Sequence, residues 1–341
     1  MPPSNNAAVL PHAKSHPLQI HPALYPSAGP DQVIIKVSAL AINPADHMVQ
    51  SMGDDLFPST YPYILGNDVA GTVVEVGSSV TAFKPGDRAL ALTIGSTPGE
   101  GGFQEYVCVK TNVVARIPDE VSFAQAAVLP LGFATAASGL YVPGYLELEL
   151  PTVAAAEPMG KTVLIWAGAS SVGSNAIQLA RASGYDVFTT CSPRNFEYCT
   201  TLGAERVFDY RSPTVVEDLV AAFKGRTCAG GFAIFPGSEE CVIDVMAEIE
   251  GEKVVVCAMA VAAEKKARED VRVKEMFGGS LRTSELAGYL YHEFLPEALR
   301  TGKFRCVPEP LVVGHGLGSI QGAVDRLKEG GISAQKVVVT L

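Results

Sequence analysis

Short apolar runs broken by Gly and Pro fill the first third of the chain, and apolar strands alternating with amphipathic helices fill the middle. Runs at 33–39, 69–76, 88–92, 103–109 and 113–116 predict strands, punctuated by turn signals such as Lys84-Pro85-Gly86-Asp87. At Ser122, which reads as an N-cap, the apolar spacing becomes helical and predicts a single helix over 123–140. From 162 onward, strands at 162–166, 186–190, 206–208, 231–235, 253–257 and about 271–277 alternate with helices at 171–183, 196–202, 214–223 and 239–248. Six strands joined by right-handed crossovers predict a doubly wound parallel sheet. Helices at 284–300 and 318–328 follow, and a last strand at 336–341 returns to the first domain. The stretch 147–160 reads as an irregular loop. The predicted fold class is α/β: a β-rich domain from 1–127 and 283–341, and a Rossmann domain over 128–282.

Chemistry enters at the first strand of the alternating region. The run to Trp166 is followed by Gly168-Ala169-Ser170-Ser171-Val172-Gly173 and then by a helix carrying Ala176, Ile177, Leu179 and Ala180. Strand, glycine turn, helix, strand is the unit that sets a pyrophosphate on a helix N-terminus. Gly168, Ser170, Ser171, Val172 and Gly173 are the candidate cofactor contacts; the alternative is a turn that only packs helix on strand. A site for NAD places an acid near the end of the second strand to hold the ribose 2′-OH. Here 188–195 contains no Asp or Glu, while Ser192 and Arg194 suit a 2′-phosphate. The expected cofactor is NADPH. For Arg194 the alternative is a solvated loop charge.

Composition narrows the classes. The chain has 341 residues, 48% of them hydrophobic and 18% charged, which suits two packed domains. A formal net charge of −10 argues against nucleic acid or an anionic membrane surface as partner. No apolar run is expected to reach membrane-spanning length, and the first residues lack a secretory signal, so cytoplasmic localisation is expected. The 7 cysteines are scattered without a C-x-x-C pair, which fits a reducing compartment.

Several further segments, taken together and in order, resemble the medium-chain dehydrogenase/reductase superfamily. They are Ala41-Ile42-Asn43-Pro44-Ala45-Asp46, Leu65-Gly66-Asn67-Asp68-Val69-Ala70-Gly71, Lys84-Pro85-Gly86-Asp87-Arg88, Gly101-Gly102-Phe103-Gln104-Glu105-Tyr106, Gly314-His315-Gly316-Leu317 and Ser333-Ala334-Gln335-Lys336-Val337. The resemblance implies a GroES-like β domain built from both ends of the chain, with a Rossmann domain between. It is nearest to the fungal zinc-independent branch, which includes trans-acting enoyl reductases serving polyketide synthases; quinone reductases share the layout. At the three positions where zinc alcohol dehydrogenases carry Cys, His and Cys, this chain has Asn43, Asn67 and Leu131, with Asp68 beside the second. Leu offers no ligand and Asn a poor one, so no metal is expected. The resemblance also places Thr135, Leu317 and Lys336 near the nicotinamide and Tyr210 beside the adenosine phosphate. The alternatives are a threonine bonded back to its own helix, a surface strand charge at Lys336 and a strand-end tyrosine at 210.

The implied reaction is reduction of a conjugated C=C, with hydrogen-bond donors stabilising the enolate oxygen and a general acid or water supplying the proton. Asn43, His47 and Thr135 are the candidate catalytic residues. Many fungal enoyl reductases read Asn-Pro-x-Asp-Trp-Lys, where this chain reads Asn43-Pro44-Ala45-Asp46-His47-Met48. Imidazole titrates near neutrality, so His47 suits proton donation or carbonyl orientation; the alternative is a surface histidine. Asp46 reads as a loop-fixing residue. Three functions stay open: an ene-reductase acting on a small-molecule or carrier-bound acyl substrate, with a polyketide synthase as a partner class; a quinone reductase; and a non-redox cofactor-bound partner of a megasynthase.

Overall fold

The computed structural model describes residues 3–55, 60–94, 97–258 and 268–341. They form two compact units, one from 1–130 and 288–341 and the other from 131–287.

The first unit is built on two sheets, antiparallel except for one parallel pair, Glu309–His315 with Gln335–Thr340. Strand Gln32–Ala41 is nearly continuously apolar and buried, and it pairs with Asp68–Val76, Tyr106–Lys110 and Gln335–Thr340. Arg88–Leu92 and Val114–Arg116 extend the sheet on one side and Glu309–His315 closes it on the other. A smaller sheet joins Gln19–Ala23, Asn5–Leu10 and Tyr63–Ile64. The register brings three strand ends together beside residue 43. Ala41 lies opposite both Asp68 and Val338, and Ile42 N–H donates to the Val337 carbonyl.

Four strands are absent from the sequence reading, the two-residue Tyr63–Ile64 among them. Gln19–Ala23 is exposed along most of its length and contains Pro22; Glu309–His315 is an edge strand with exposed Val312 and Val313. Neither shows the half-buried alternation by which strands are recognised. Asn5–Leu10 is buried but short.

The expected helix over 123–140 is two helices, Phe123–Ala126 and Pro130–Tyr141. Pro130 has no N–H and disfavours helical backbone at Leu129, so the chain turns at 127–129 and restarts with the proline in its first turn. Ser122 does cap the first piece, accepting the Gln125 N–H at 3.2 Å. By length and composition the combined stretch Phe123–Tyr141 could cross a membrane, which corrects the expectation of no such run; most of it is buried core. Likewise 284–300 is not one α-helix. It passes from Leu286–Gly288 through a π-helical turn, Tyr289–Phe294, into Leu295–Arg300. Pro296 removes one ladder donor there, a recognised cause of such a turn.

The second unit is a six-stranded parallel sheet. Counted within the unit, its strand order is 3-2-1-4-5-6, from Arg206–Asp209 at one edge to Arg272–Glu275 at the other. This is the doubly wound order that binds dinucleotides outside the carboxyl ends of the strands. Its core packs Leu164, Phe188, Phe223, Val242, Met246 and Val255, with the Phe188 and Phe223 rings 4.9 Å apart.

Candidate active site

At the carboxyl end of strand Lys161–Ile165 the chain turns sharply into helix Ser171–Ala182. The turn is held to the neighbouring strand. Gly168 N–H donates to the Thr190 carbonyl at 2.9 Å, and Ala167 N–H to Thr190 Oγ1 at 3.1 Å. Ala167 adopts φ 69°, a left-handed conformation rare outside glycine. The two predicted glycines are required by packing. A Cβ at Gly168 would lie 2.2 Å from Thr189 Oγ1, and one at Gly173 would lie 2.2 Å from the Ala167 carbonyl oxygen. Since the second contact is with backbone, Gly173→Ala is expected to cost about 1–3 kcal/mol through overpacking. Thermal unfolding of the variant checks this, and an unchanged melt would mean that the turn yields.

Ser170 is the N-cap, and its hydroxyl accepts the Gly173 N–H at 3.0 Å. The Ser171 and Val172 N–H groups, in the first turn, have no intrahelical acceptor and sit at the positive end of the helix dipole. Beside them, Ser171 Oγ and Asn175 Oδ1 are buried without a hydrogen-bond partner among the described residues. Gly132 leaves this place clear, since a Cβ there would lie 2.5 Å from Ser171 Oγ. Unspent N–H donors, a serine hydroxyl able to donate and a glycine-lined surface fit an anionic dinucleotide.

The second strand, Asp186–Cys191, leads directly into Ser192 and Arg194. Arg194 is exposed and has no ion pair among the described residues. Asp209, which ends the adjacent strand, is engaged by Arg211 at 3.3 Å. Tyr210 is 46% exposed, with the Arg211 guanidinium over its ring. Thr135 lies buried in helix Pro130–Tyr141, where the bare Gly278 makes room for it: a Cβ at 278 would be 2.8 Å from Thr135 Oγ1. Tyr198 escaped the sequence reading. It reaches Ser174 in the first helix at 2.9 Å, a contact no local pattern announces.

In the first unit the structure gathers residues that the sequence holds far apart. Lys336 Nζ forms an ion pair with Asp68 Oδ2 at 2.9 Å and donates to Asn43 Oδ1, while Asn43 Nδ2 donates to Asp68 Oδ2 at 2.9 Å. All three are buried, Lys336 at 5% exposure and Asp68 at 0%. Lys336 is therefore not the surface strand charge allowed by its sequence. It is the second residue of strand Gln335–Thr340, which pairs with 39–41, and lies in the buried run 336–339. Leu317 stands apart from this cluster, half-buried in the turn Leu317–Ser319.

Asn43 stands at the N-cap of helix Pro44–Met52, but its side chain makes no cap bond. Asp46 closes the turn instead, accepting the Asn43 N–H at 2.7 Å and the Gly66 N–H at 3.2 Å. Burial pushes the Asp46 carboxyl up to about 7, the two N–H bonds and Lys336 opposing and the Asp68 charge adding to the rise. Tyr291 is fully buried, and its phenol is raised by burial and then by the Asp68 charge. His47 lies half-buried in the same helix, one residue beyond Asp46. Asn67 Nδ2 is bound to the Thr93 carbonyl at 2.8 Å. Among the described residues no group of three His, Cys, Asp or Glu gathers that could hold a metal ion.

Residues 29–119 match the alcohol dehydrogenase GroES-like domain. The chain is 44% identical to the dehydrogenase azaJ of Aspergillus niger, over 99% of both chains. It is 37% identical to the trans-enoyl reductase himH of Aspergillus japonicus, over 99% of this chain and 97% of that one. Its fold matches the crystal structure of an alcohol dehydrogenase superfamily protein from Novosphingobium aromaticivorans with TM-score 0.81 and 26% identity, over 99% of both chains. By full-length similarity, sheet order and the glycine turn, the chain belongs to the medium-chain dehydrogenase/reductase superfamily of nicotinamide-dependent oxidoreductases and is enoyl-reductase-like.

Proposed function

We propose that this protein is an NADPH-dependent, zinc-independent ene-reductase that reduces the conjugated C=C of an enone or enoyl thioester in fungal secondary metabolism. The observation that carries the proposal is the buried Asn43–Asp68–Lys336 cluster. Two of its members are the residues aligned with or next to zinc-ligand positions, and they offer hydrogen-bond donors and a paired charge instead of N and S ligands. An alkene conjugated to a carbonyl needs less polarisation than a simple ketone, and a fixed N–H donor suits it. Similarity to the trans-enoyl reductase himH points the same way.

The chain's residues divide the work. Ser171 and Val172 N–H groups hold the pyrophosphate, and Gly168 and Gly173 allow its close approach. Ser192 and Arg194 hold the 2′-phosphate, with Tyr210 alongside. Thr135 and Leu317 border the nicotinamide. When bound, NADPH supplies the hydride for the β-carbon of the acceptor. Asn43 donates an N–H to the acceptor's carbonyl oxygen, where negative charge gathers. His47 hands a proton to the α-carbon, directly or through water.

The test is oxidation of NADPH followed by absorbance, with an enone, a free enoyl thioester, the same acyl group on a carrier protein and a para-quinone offered in parallel. Turnover of enone or thioester in preference to quinone is expected. Preference for the quinone would move the protein to quinone reduction, and cofactor binding without any turnover would favour a non-redox role. Arg194→Ala is expected to weaken NADPH about 10- to 100-fold while leaving NADH nearly unchanged, because a hydrogen bond to a charged group contributes about 1.5–3 kcal/mol. Equal losses for both cofactors would remove the 2′-phosphate assignment.

A further inference from the structure

The buried cluster constrains Asn43 more tightly than a donor role alone requires. A carboxamide has two near-identical ends, and its orientation is set by what faces each end. Here the two neighbours are chemically opposite. The Lys336 ammonium can only donate, and it meets Oδ1; the Asp68 carboxylate can only accept, and it meets Nδ2. Lys336 and Asp68 are also bonded to each other, at 2.9 Å, which closes a ring of three side chains. Flipping the amide would set an N–H against the ammonium and a carbonyl oxygen against the carboxylate, breaking two buried charge-assisted bonds at once. The Asn43 backbone N–H is fixed separately by Asp46. One Nδ2 hydrogen is spent on Asp68, and the other has no acceptor among the described residues.

We infer that Lys336 is a positioning residue that, through its bonds to Asn43 and Asp68, locks the Asn43 carboxamide so that the second Nδ2 hydrogen is always the group presented to the acceptor's carbonyl oxygen. This rests on the ene-reductase proposal for its consequence, but the lock itself is a property of the unliganded chain. Without the ammonium, Asp68 loses the cation bonded to it in a buried place, a change that favours the protonated form of a carboxyl. A protonated carboxyl both donates and accepts, so either orientation of the amide then satisfies it.

The experiment compares Lys336→Met and Lys336→Arg in two measurements. The first is the side-chain amide resonances of Asn43 in protein labelled with ¹⁵N-asparagine, assigned by their loss in Asn43→Ala. One sharp pair is expected in the parent and in K336R, and a shifted or doubled pair in K336M; an unmoved pair in K336M would overturn the lock. The second is kinetics at saturating NADPH. K336M is expected to lose roughly 10²-fold in kcat, the scale of one misplaced oxyanion donor. Its NADPH affinity should change by less than about 3-fold, K336R should recover most of the loss, and the double variant K336M/N43A should lose no more than N43A alone. Additive losses, or a fall in NADPH affinity that accounts for the whole effect, would also overturn the inference. If loss of the Lys336–Asp68 pair prevents K336M from folding, K336M/D68N leaves no charge in the ring and carries both measurements. Absence of turnover in the parent protein would count against the ene-reductase proposal, while the resonances still decide the lock.

Discussion

Asp68→Ala should destabilise the protein by about 3–5 kcal/mol, a large share of the marginal stability of a folded domain. The substitution removes one partner of a buried pair and leaves the Lys336 ammonium, 5% exposed, without the carboxylate it is bonded to. Desolvating a lone cation costs far more than the pair contributes, so the single variant reports mostly the orphaned charge. Replacing both partners by apolar side chains, as in D68L/K336M, should therefore cost much less, within about 1–2 kcal/mol of the parent. Chemical denaturation of the two variants without cofactor reads the difference. A D68A variant within about 1 kcal/mol of the parent would show that water reaches the ammonium. Activity should be lost in both variants, since neither retains the ring around Asn43.

A fall in stability between about pH 4 and pH 7 is expected from Asp46. Its folded-state carboxyl is raised from the ordinary 3.8 to about 7, chiefly by burial. Within that interval the native state binds a proton that the unfolded state has released, so unfolding loses protons and stability declines as pH rises. The contribution is fully present below the unfolded value and is lost by the time the folded value is passed. At 1.36 kcal/mol per tenfold change in proton affinity, it reaches on the order of 4 kcal/mol. Asp46→Asn removes the titrating group and should flatten this part of the curve, at the expense of one of the two N–H bonds that Asp46 accepts. Denaturation midpoints of parent and variant at pH 4, 5.5 and 7 check it. Parallel curves would show that Asp46 does not titrate in this range.

The glycine turn and its helix were readable because every determinant lies within about thirty residues: an apolar strand, small residues at the turn and helical spacing after it. The reading is sharper in the structure, where Gly173 is forced by the Ala167 carbonyl and Gly168 by Thr189. The interruption at Pro130 and the π-helical turn before Pro296 were also written locally, as prolines inside helical patterns, and were passed over. Strand Gln19–Ala23 and strand Glu309–His315 could not be recognised in the same way. Both are largely exposed, and an edge strand needs no apolar face to pair through its backbone.

Sequence alone determined the α/β class, the nucleotide-binding turn and the absence of an acid over 188–195, because periodicity, glycine placement and charge act over short stretches of chain. It also brought Asn43, Asp68 and Lys336 to notice, but one at a time. Only the tertiary structure decided that they form one buried ring. Lys336 lies 293 residues from Asn43, on a strand donated by the far end of the chain. Residues 336–339 are buried in succession, so what buries the lysine is that other parts of the chain cover both faces of its strand. No spacing within the sequence encodes that cover; the packing of three strand ends beside residue 43 does.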